Sequence, residues 1–141
     1  MGTELLKPRL RVVAAALFDV QGRVLIAERP LGKHMAGYWE FPGGKVGPGE
    51  SDAAALVREL REELGVDTQV LDEIAQLHHE YPDRLIDLYL LRARLVSGEP
   101  RGLEGQALKW VDRAALGAER MLPADQPFID ALQLLSSPAL I

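Results

Sequence analysis

The sequence predicts a single domain of the α/β class, with both strands and helices. Several apolar stretches are separated by short turns, as strands are, and one central stretch has the periodicity of an amphipathic helix. A length of 141 residues, with 48% hydrophobic and 26% charged side chains, fits one folded globular domain. We expect this domain at residues 9–135, after a flexible lead-in at residues 1–8 and before a frayed tail at residues 136–141.

The first two strands are predicted on either side of a turn. Leu10–Phe18 is almost wholly apolar, which is typical of a buried strand, and Arg23–Arg29 alternates as a returning strand does. Asp19–Gly22, between them, has the composition of a turn. Pro30–Gly37 is expected to be a loop, and a glycine-rich loop is expected to begin at Gly43.

The central helix is predicted between Ser51 and Gly65. Ser51 is a favoured N-cap residue, and Gly65 suits the left-handed position that ends a helix. At about 100° per residue, one side of this helix is aliphatic. That side consists of Leu56, Val57, Leu60 and Leu64. Glu59, Glu62 and Glu63 lie on an adjacent side, so the helix can pack on a core and present three carboxylates close together.

The second half of the chain predicts a long hairpin, a short strand and two short helices. Thr68–His79 and Arg84–Val96 are the predicted hairpin strands, joined by a Pro-Asp turn. Ala107–Val111 is a predicted short strand, and Asp112 is expected to begin a short helix. The last helix is expected from about Pro127, because proline is favoured in the first helical turn.

Composition limits the classes of function. The absence of cysteine excludes disulfides and thiolate chemistry and favours a reducing compartment. A net charge of −5 argues against stable binding to nucleic acid. No stretch resembles a signal peptide or a membrane span, so a cytoplasmic monomer without a membrane partner is expected.

The three helix glutamates predict a metal site. Carboxylates this close together repel one another unless a cation lies among them. Their hard oxygen atoms suit Mg²⁺, with Mn²⁺ as a substitute, and such ions leave room for water and substrate phosphates. A solvated acidic helix face, offset by Arg58 and Arg61, is the alternative interpretation of the same residues.

The surrounding residues favour the metal. The pattern G-x5-E-x7-R-E-U-x-E-E-x-G-U, where U is aliphatic, is met at every fixed position by Gly44, Glu50, Arg58, Glu59, Leu60, Glu62, Glu63, Gly65 and Val66. This is the Nudix box, and the chain resembles the Nudix family of metal-dependent hydrolases. The resemblance implies the Nudix fold, an α/β/α sandwich with a mixed central sheet and a loop–helix–loop formed by the box.

Segments outside the box resemble the MutT branch of that family, over about residues 10 to 130. They are Glu28–Pro30, His34–Ala36, Glu40–Lys45, Tyr81–Arg84, Gly98–Pro100, Glu104–Gln106 and Pro123–Asp125. Enzymes of this branch hydrolyse nucleoside triphosphates, including oxidised ones, to monophosphate and pyrophosphate. The resemblance therefore implies a small-molecule nucleotide substrate.

The resemblance also implies roles for individual residues. The expected metal ligands are the Gly43 carbonyl and the carboxylates of Glu59, Glu62, Glu63 and Glu104. Glu59 is the first candidate for the general base, and Glu104 is the alternate. Arg58 would orient a glutamate, although a plain salt bridge between Arg58 and Glu50 explains the pair equally well. The expected nucleotide-binding residues are Arg29, His34, Phe41, Lys45, Tyr81, Arg84 and Asp125, with core packing or surface charge as the alternative for each.

Asp125 departs from the 8-oxoguanine-specific pattern, which has an asparagine at this position. An asparagine amide can donate to the base O6 and accept from the N7 hydrogen, whereas an ionised aspartate only accepts. Aspartate suits an amino group such as cytosine N4, and related Nudix enzymes that act on cytidine nucleotides carry it in a similar Pro-Ala-Asp segment. Burial that raises the pKa of Asp125 would restore a donor. Both bases stay open, and the wider resemblance favours 8-oxo-dGTP.

Two further functions stay open. One is a Nudix pyrophosphatase for ADP-ribose or a dinucleoside polyphosphate, although the short chain counts against large substrates. The other is a non-catalytic module that recognises damaged bases. Such modules lack the full set of box glutamates, which this chain has, and they do not release pyrophosphate in the presence of Mg²⁺.

Overall fold

The computed structural model describes residues 7–135. Of the predicted lead-in, only Lys7 and Pro8 are described, and the predicted tail at residues 136–141 lies outside the described residues. The elements are β1 (Arg9–Phe18), β2 (Val24–Glu28), β3 (Trp39–Glu40), β4 (Gly43–Lys45), α1 (Asp52–Leu64), β5 (Asp67–Glu80), β6 (Leu85–Ser97), β7 (Leu108–Val111) and α2 (Gln126–Leu134). No helix within these described residues has the length and apolar character needed to cross a bilayer.

The seven strands of residues 7–135 form one mixed sheet. Its main order is β3-β2-β1-β6-β5, while β4 pairs with β1 and β7 pairs with β2. β1 and β6 run parallel along the whole of β1, from Arg9 opposite Leu85 to Phe18 opposite Arg94. The other pairs are antiparallel, including the long β5–β6 hairpin, which is interrupted by register shifts. The predicted α/β class with a mixed sheet is confirmed.

One helix packs on each face of the sheet. The α1 face buries Ala55, Leu56, Leu60 and Leu64 against Val13, Ala15, Leu17 and Leu25. The α2 face buries Phe128, Ile129 and Leu132 against Ala14, Ala16 and Ile26. Alternate residues of β1 thus enter opposite cores, as the two-residue period of a strand requires. The result is the expected three-layer sandwich, with Val57 only half-buried and Ala55 in the core instead.

The predicted limits of α1 are confirmed because local caps determine them. The Ser51 hydroxyl accepts a hydrogen bond from the Ala54 N–H at 3.1 Å, which satisfies one free helix donor. At the other end, Gly65 has φ 70°, and its N–H donates to the Arg61 carbonyl at 3.0 Å. The helix therefore begins and ends at the residues that its own sequence indicates.

One local prediction is wrong. The glycine-rich loop expected from Gly43 begins as a strand, β4, because its backbone pairs with β1. Gly43 lies so close to β1 that a Cβ atom would be 2.0 Å from the Val13 carbonyl oxygen, so only glycine fits there. The short helix expected to begin at Asp112 is confirmed as a 3-10 helix at Arg113–Ala118, with Asp112 as its N-cap residue.

Candidate active site

A cleft of about 460 Å³ opens over β1 and β6 and reaches β4, the loop after β6 and the segment before α2. Its apolar lining includes Val12, Ala14, Ile86 and Leu88 from the sheet. Its charged lining includes Arg29, Lys33, Glu40, Lys45, Glu63, Glu104 and Asp125. Apolar surface next to charged groups suits a ligand that joins a flat ring to ionised phosphates.

Arg58 ties the box loop to the box helix. Its guanidinium donates to both carboxylate oxygens of Glu50, at 2.7 and 2.9 Å, and to the Lys45 carbonyl at 3.0 Å. The hydrogen bond from Arg58, followed by one from the Gly47 N–H, lowers the pKa of Glu50 to about 2. Both partners therefore stay ionised, and the loop keeps its shape at physiological pH.

Glu59 lies directly against the glycine-rich segment. A Cβ atom on Gly44 would lie 2.3 Å from the carboxyl carbon of Glu59, so a side chain at residue 44 would displace that carboxylate. Arg58 also donates to Glu59, at 3.2 Å. The box glycine and arginine thus determine where the Glu59 carboxylate can be.

Glu63 is the most strongly perturbed acid of the helix. Burial, a hydrogen bond shared with Glu59, and the negative charges of Glu59, Glu104 and Glu40 raise the pKa of Glu63 to about 9. Burial disfavours an ionised carboxyl, and each neighbouring negative charge disfavours it further. The fold has therefore brought the predicted acids Glu59, Glu63 and Glu104 together, with Glu40 added to them.

Glu62 is not among the neighbouring charges that raise the pKa of Glu63. Its carboxylate accepts a hydrogen bond from Arg58 at 3.2 Å, one helical turn away, and its side chain is 58% exposed. Within residues 7–135, no three His, Asp or Glu side chains have their ligand atoms placed to hold a metal ion. The hydrogen bond from Arg58 uses one carboxylate oxygen of Glu62, and the role of Glu62 as a metal ligand stays a prediction.

Four of the seven predicted substrate residues line the cleft. They are Arg29, Phe41, Lys45 and Asp125. Phe41 is 5% exposed and meets the Phe128 ring edge-on, with centroids 6.4 Å apart. Arg29 donates to Glu40 at 2.8 Å and to the His34 carbonyl at 2.7 Å, so it joins the β2–β3 loop to the cleft wall.

The other three predicted substrate residues are not part of the cleft lining. His34 is exposed and contacts Arg29 through its carbonyl oxygen rather than its ring. Tyr81 and Arg84 lie at the tip of the β5–β6 hairpin, where the guanidinium carbon is 4.8 Å from the tyrosine ring centroid. Nucleotide binding by these three residues stays a prediction.

Comparison with known proteins decides the family. A family model described as the NUDIX domain matches residues 7–132. The chain belongs to the Nudix family. The 8-oxo-dGTP diphosphatase of Escherichia coli K12 is 36% identical over 127 residues, which cover 90% of this chain and 98% of that protein. The CTP pyrophosphohydrolase of the same organism is 40% identical over 123 residues, which cover 87% of this chain and 91% of that protein.

A solved structure agrees with this assignment. The solution structure of the E. coli ORF135 protein superposes with a TM-score of 0.81 at 38% identity, and 93% of each chain is covered. The present chain is therefore a MutT-like Nudix hydrolase, an enzyme, as the Nudix box predicts. Nudix hydrolases act on small nucleotide substrates and generally use a divalent metal.

The acids of this Nudix hydrolase fit such a metal. Glu59, Glu63 and Glu104 offer only carboxylate oxygens, which are the ligands that Mg²⁺ and Mn²⁺ prefer. The raised pKa of Glu63 shows that a negative charge is costly in this cluster without a cation. A divalent ion among these groups would offset that cost.

Sequence reasoning assigned no role to three residues that line the cleft of the Nudix hydrolase. Glu40 pairs with Arg29, and its charge raises the pKa of both Glu63 and Asp125. Lys33 adds a cation to the cleft wall, and Gln106 lies beside the acids. Glu40 and Gln106 stand in the segments that resemble MutT, but only tertiary contacts reveal what they touch.

Proposed function

We propose that this chain is a Mg²⁺-dependent diphosphatase of nucleoside triphosphates, with 8-oxo-dGTP as its preferred substrate. It releases nucleoside monophosphate and pyrophosphate, and so it removes oxidised nucleotides from the cytoplasmic pool as a monomer. The observation that carries this proposal is a cleft lined both by acids of the cluster, Glu63 and Glu104, and by a buried carboxyl, Asp125. Two similar enzymes, an 8-oxo-dGTP diphosphatase and a CTP pyrophosphohydrolase, support the reaction class.

Asp125 supports the choice of base. It lines the cleft and is only 5% exposed. Burial and the charge of Glu40 raise the pKa of Asp125 to about 7, although Arg29 opposes this shift. Much of the carboxyl is then protonated at neutral pH, so it has an O–H to donate to O6 and an oxygen to accept from the N7 hydrogen of 8-oxoguanine. A protonated aspartate thus takes the place of the expected asparagine amide.

The acid cluster supports the chemistry. Glu63, Glu59 and Glu104 would hold the metal together with the Gly43 carbonyl, and Glu62 would join them. When bound, Mg²⁺ neutralises phosphate charge and lowers the pKa of a water molecule. Glu59 accepts the proton of the attacking water as general base, with Glu104 as the alternate.

The cations of the cleft would bind the phosphates. Lys33 and Lys45 line the cleft with the acids, and their ammonium groups suit point contacts with phosphate oxygens. Arg29 holds the cleft wall through Glu40 and is near enough to Asp125 to lower its pKa. Binding energy from these contacts would fix the triphosphate for attack at the β-phosphorus.

A cytosine nucleotide is the second candidate substrate. The ionised fraction of Asp125 can only accept, and it would pair with the N4 amino group of cytosine. The 40% identity to a CTP pyrophosphohydrolase supports this alternative. A non-catalytic module that binds damaged bases is less well supported, because the three box glutamates are all present.

Product identification tests the reaction class. Purified protein is incubated with 8-oxo-dGTP and Mg²⁺, and phosphorus NMR distinguishes pyrophosphate from orthophosphate. We expect pyrophosphate and 8-oxo-dGMP in equal amounts, no turnover in EDTA, and restored turnover with Mn²⁺. Glu59→Gln is expected to lower turnover at least about 100-fold, which is the usual contribution of a general base. Orthophosphate as the product, or full turnover in EDTA, would refute the proposal.

A further inference from the structure

The loop after β6 is docked on the end of the box helix. The last carbonyl groups of a helix have no partner within that helix. Here the Arg101 N–H donates to the Leu64 carbonyl at 3.0 Å, and the Leu103 N–H donates to the Glu63 carbonyl at 3.1 Å. The loop that carries Glu104 is thus attached to the backbone of α1 next to Glu63.

Gln106 joins the two acids through both ends of its side-chain amide. Its Nε2 donates to the Glu63 carbonyl at 3.2 Å, and its Oε1 accepts from the Glu104 N–H at 2.9 Å. The side chain lines the cleft and is half-buried. One amide therefore links the backbone of an acid on the helix to the backbone of an acid on the loop.

The turn from Gly102 to Gln106, which carries Glu104, has a tightly packed backbone. A Cβ atom on Gly102 would lie 1.9 Å from the Gln106 carbonyl oxygen, so the two ends of the turn are in close contact. Glu104 itself is exposed, and an exposed loop carboxylate samples many positions unless its backbone is fixed. The Gln106 amide supplies a direct connection between Glu104 and the helix.

We propose that Gln106 is a positioning residue that sets the separation of Glu63 and Glu104 and thereby the affinity of the enzyme for its divalent cation. This inference rests on the proposed metal-dependent function. Gln106 acts on the ligands through their backbones and not on the nucleotide. Loss of its two hydrogen bonds removes the restraint on the Glu104 N–H, while Arg101 and Leu103 still attach the loop to α1. The cation then loses a precisely placed ligand, and the nucleotide keeps its contacts.

The test uses Mn²⁺ as a spectroscopic substitute for Mg²⁺. Gln106→Met retains side-chain length and removes both hydrogen bonds. Gln133→Met is the matched control. Gln133 lies on α2, does not line the cleft, and also donates to a backbone carbonyl, that of Arg113, at 3.1 Å. Electron paramagnetic resonance measures free Mn²⁺ during titration of nucleotide-free protein, and thermal melts verify that each variant is folded. A second variant, Gln106→Asn, keeps the amide but is too short to reach both partners.

We expect both Gln106 variants to bind Mn²⁺ about 10-fold more weakly than the parent, which is typical for loss of a group that orients metal ligands. KM for the nucleotide at saturating metal is expected to stay the same, and Gln133→Met is expected to match the parent. A raised KM with unchanged Mn²⁺ binding would overturn the inference, since Gln106 would then contact the nucleotide. Unchanged Mn²⁺ binding with unchanged KM would overturn it as well. Absence of Mn²⁺ binding to the parent would instead refute the proposed function on which the inference rests.

Discussion

Arg58 and Glu50 form a two-point ion pair across eight residues of the chain. The guanidinium Nε and one Nη reach the two carboxylate oxygens at 2.7 and 2.9 Å. Glu50 also accepts the Gly47 N–H at 2.7 Å, and Arg58 donates to the Lys45 carbonyl at 3.0 Å. The glycine-rich loop is therefore fixed to the box helix by side chains of the box itself.

Arg58→Lys is expected to lower kcat by about 10- to 100-fold, as the loss of a ligand-orienting group commonly does. A lysine ammonium is a point charge and cannot form the two parallel hydrogen bonds of a guanidinium. Steady-state kinetics at saturating Mg²⁺ measures the effect. Arg61→Lys is the matched control, because Arg61 lies near the end of α1 and pairs with an exposed residue of β5, Asp67. Equal kcat values for the two variants would contradict a special role for Arg58.

Gly44→Ala is expected to lower kcat at least about 100-fold, since the new methyl group would occupy the space of the Glu59 carboxylate, the proposed general base. Gly117→Ala is the control, because a Cβ atom there meets nothing within 4 Å. Both variants are assayed at saturating nucleotide and Mg²⁺. Normal turnover in Gly44→Ala would show that Glu59 need not occupy this position.

Base preference is expected to depend on pH. Asp125, whose pKa is raised to about 7, is mostly protonated at pH 6 and mostly ionised at pH 8. The kcat/KM for 8-oxo-dGTP, relative to that for dCTP, should therefore fall by about 10-fold or more across this range. The charged groups that face Asp125 are Glu40 and Arg29, and both are present in the parent and in the Asp125→Asn variant. Asp125→Asn is expected to abolish the change, and a pH-independent ratio in the parent would contradict protonation as the cause.

Asp125→Asn is also expected to stabilise the protein at alkaline pH. The folded state holds the Asp125 proton more tightly than the unfolded state, because burial raises the pKa from 3.8 to about 7. The stability contributed by this group is complete below pH 4 and is lost as the pH rises through 7. In the parent, the free energy of unfolding falls by about 3 kcal/mol between pH 5 and pH 8 for this reason, since one pKa unit corresponds to about 1.36 kcal/mol. Asparagine does not titrate, so the variant does not show this loss.

Urea unfolding at the two pH values measures this difference in the free energy of unfolding. The gain of Asp125→Asn over the parent should be larger at pH 8 than at pH 5. A gain that is the same at both values would show that Asp125 titrates near its ordinary pKa.

The parts of the fold that the sequence predicts well depend on local signals. The limits of α1 follow from Ser51 and Gly65, and the strand positions follow from apolar runs between turns. The sequence does not predict β4, because glycines have little strand tendency of their own and β4 forms only where β1 provides a partner.

The same distinction holds for the site. Helical spacing predicts three glutamates on one side of α1, and one Arg58 nitrogen donates to both Glu59 and Glu62 at 3.2 Å. Glu63 instead interacts with Glu59, Glu104 and Glu40, which helical spacing does not reveal. Glu40 influences Asp125 because the segment before α2 lies against β3, where the Leu122 N–H donates to the Trp39 carbonyl at 2.9 Å; no periodicity of the sequence reveals this contact. Contacts between side chains that are distant in the sequence are thus the features of the site that the sequence alone does not predict.

Substrate preference is measured by pyrophosphate release with Mg²⁺ at neutral pH, compared by kcat/KM over a panel of 8-oxo-dGTP, dGTP, dCTP, 5-hydroxy-dCTP and ADP-ribose. We expect the highest value for 8-oxo-dGTP, because protonated Asp125 supplies the donor that O6 requires. A higher value for the cytosine nucleotides would contradict that assignment and would mean that ionised Asp125 binds an amino group.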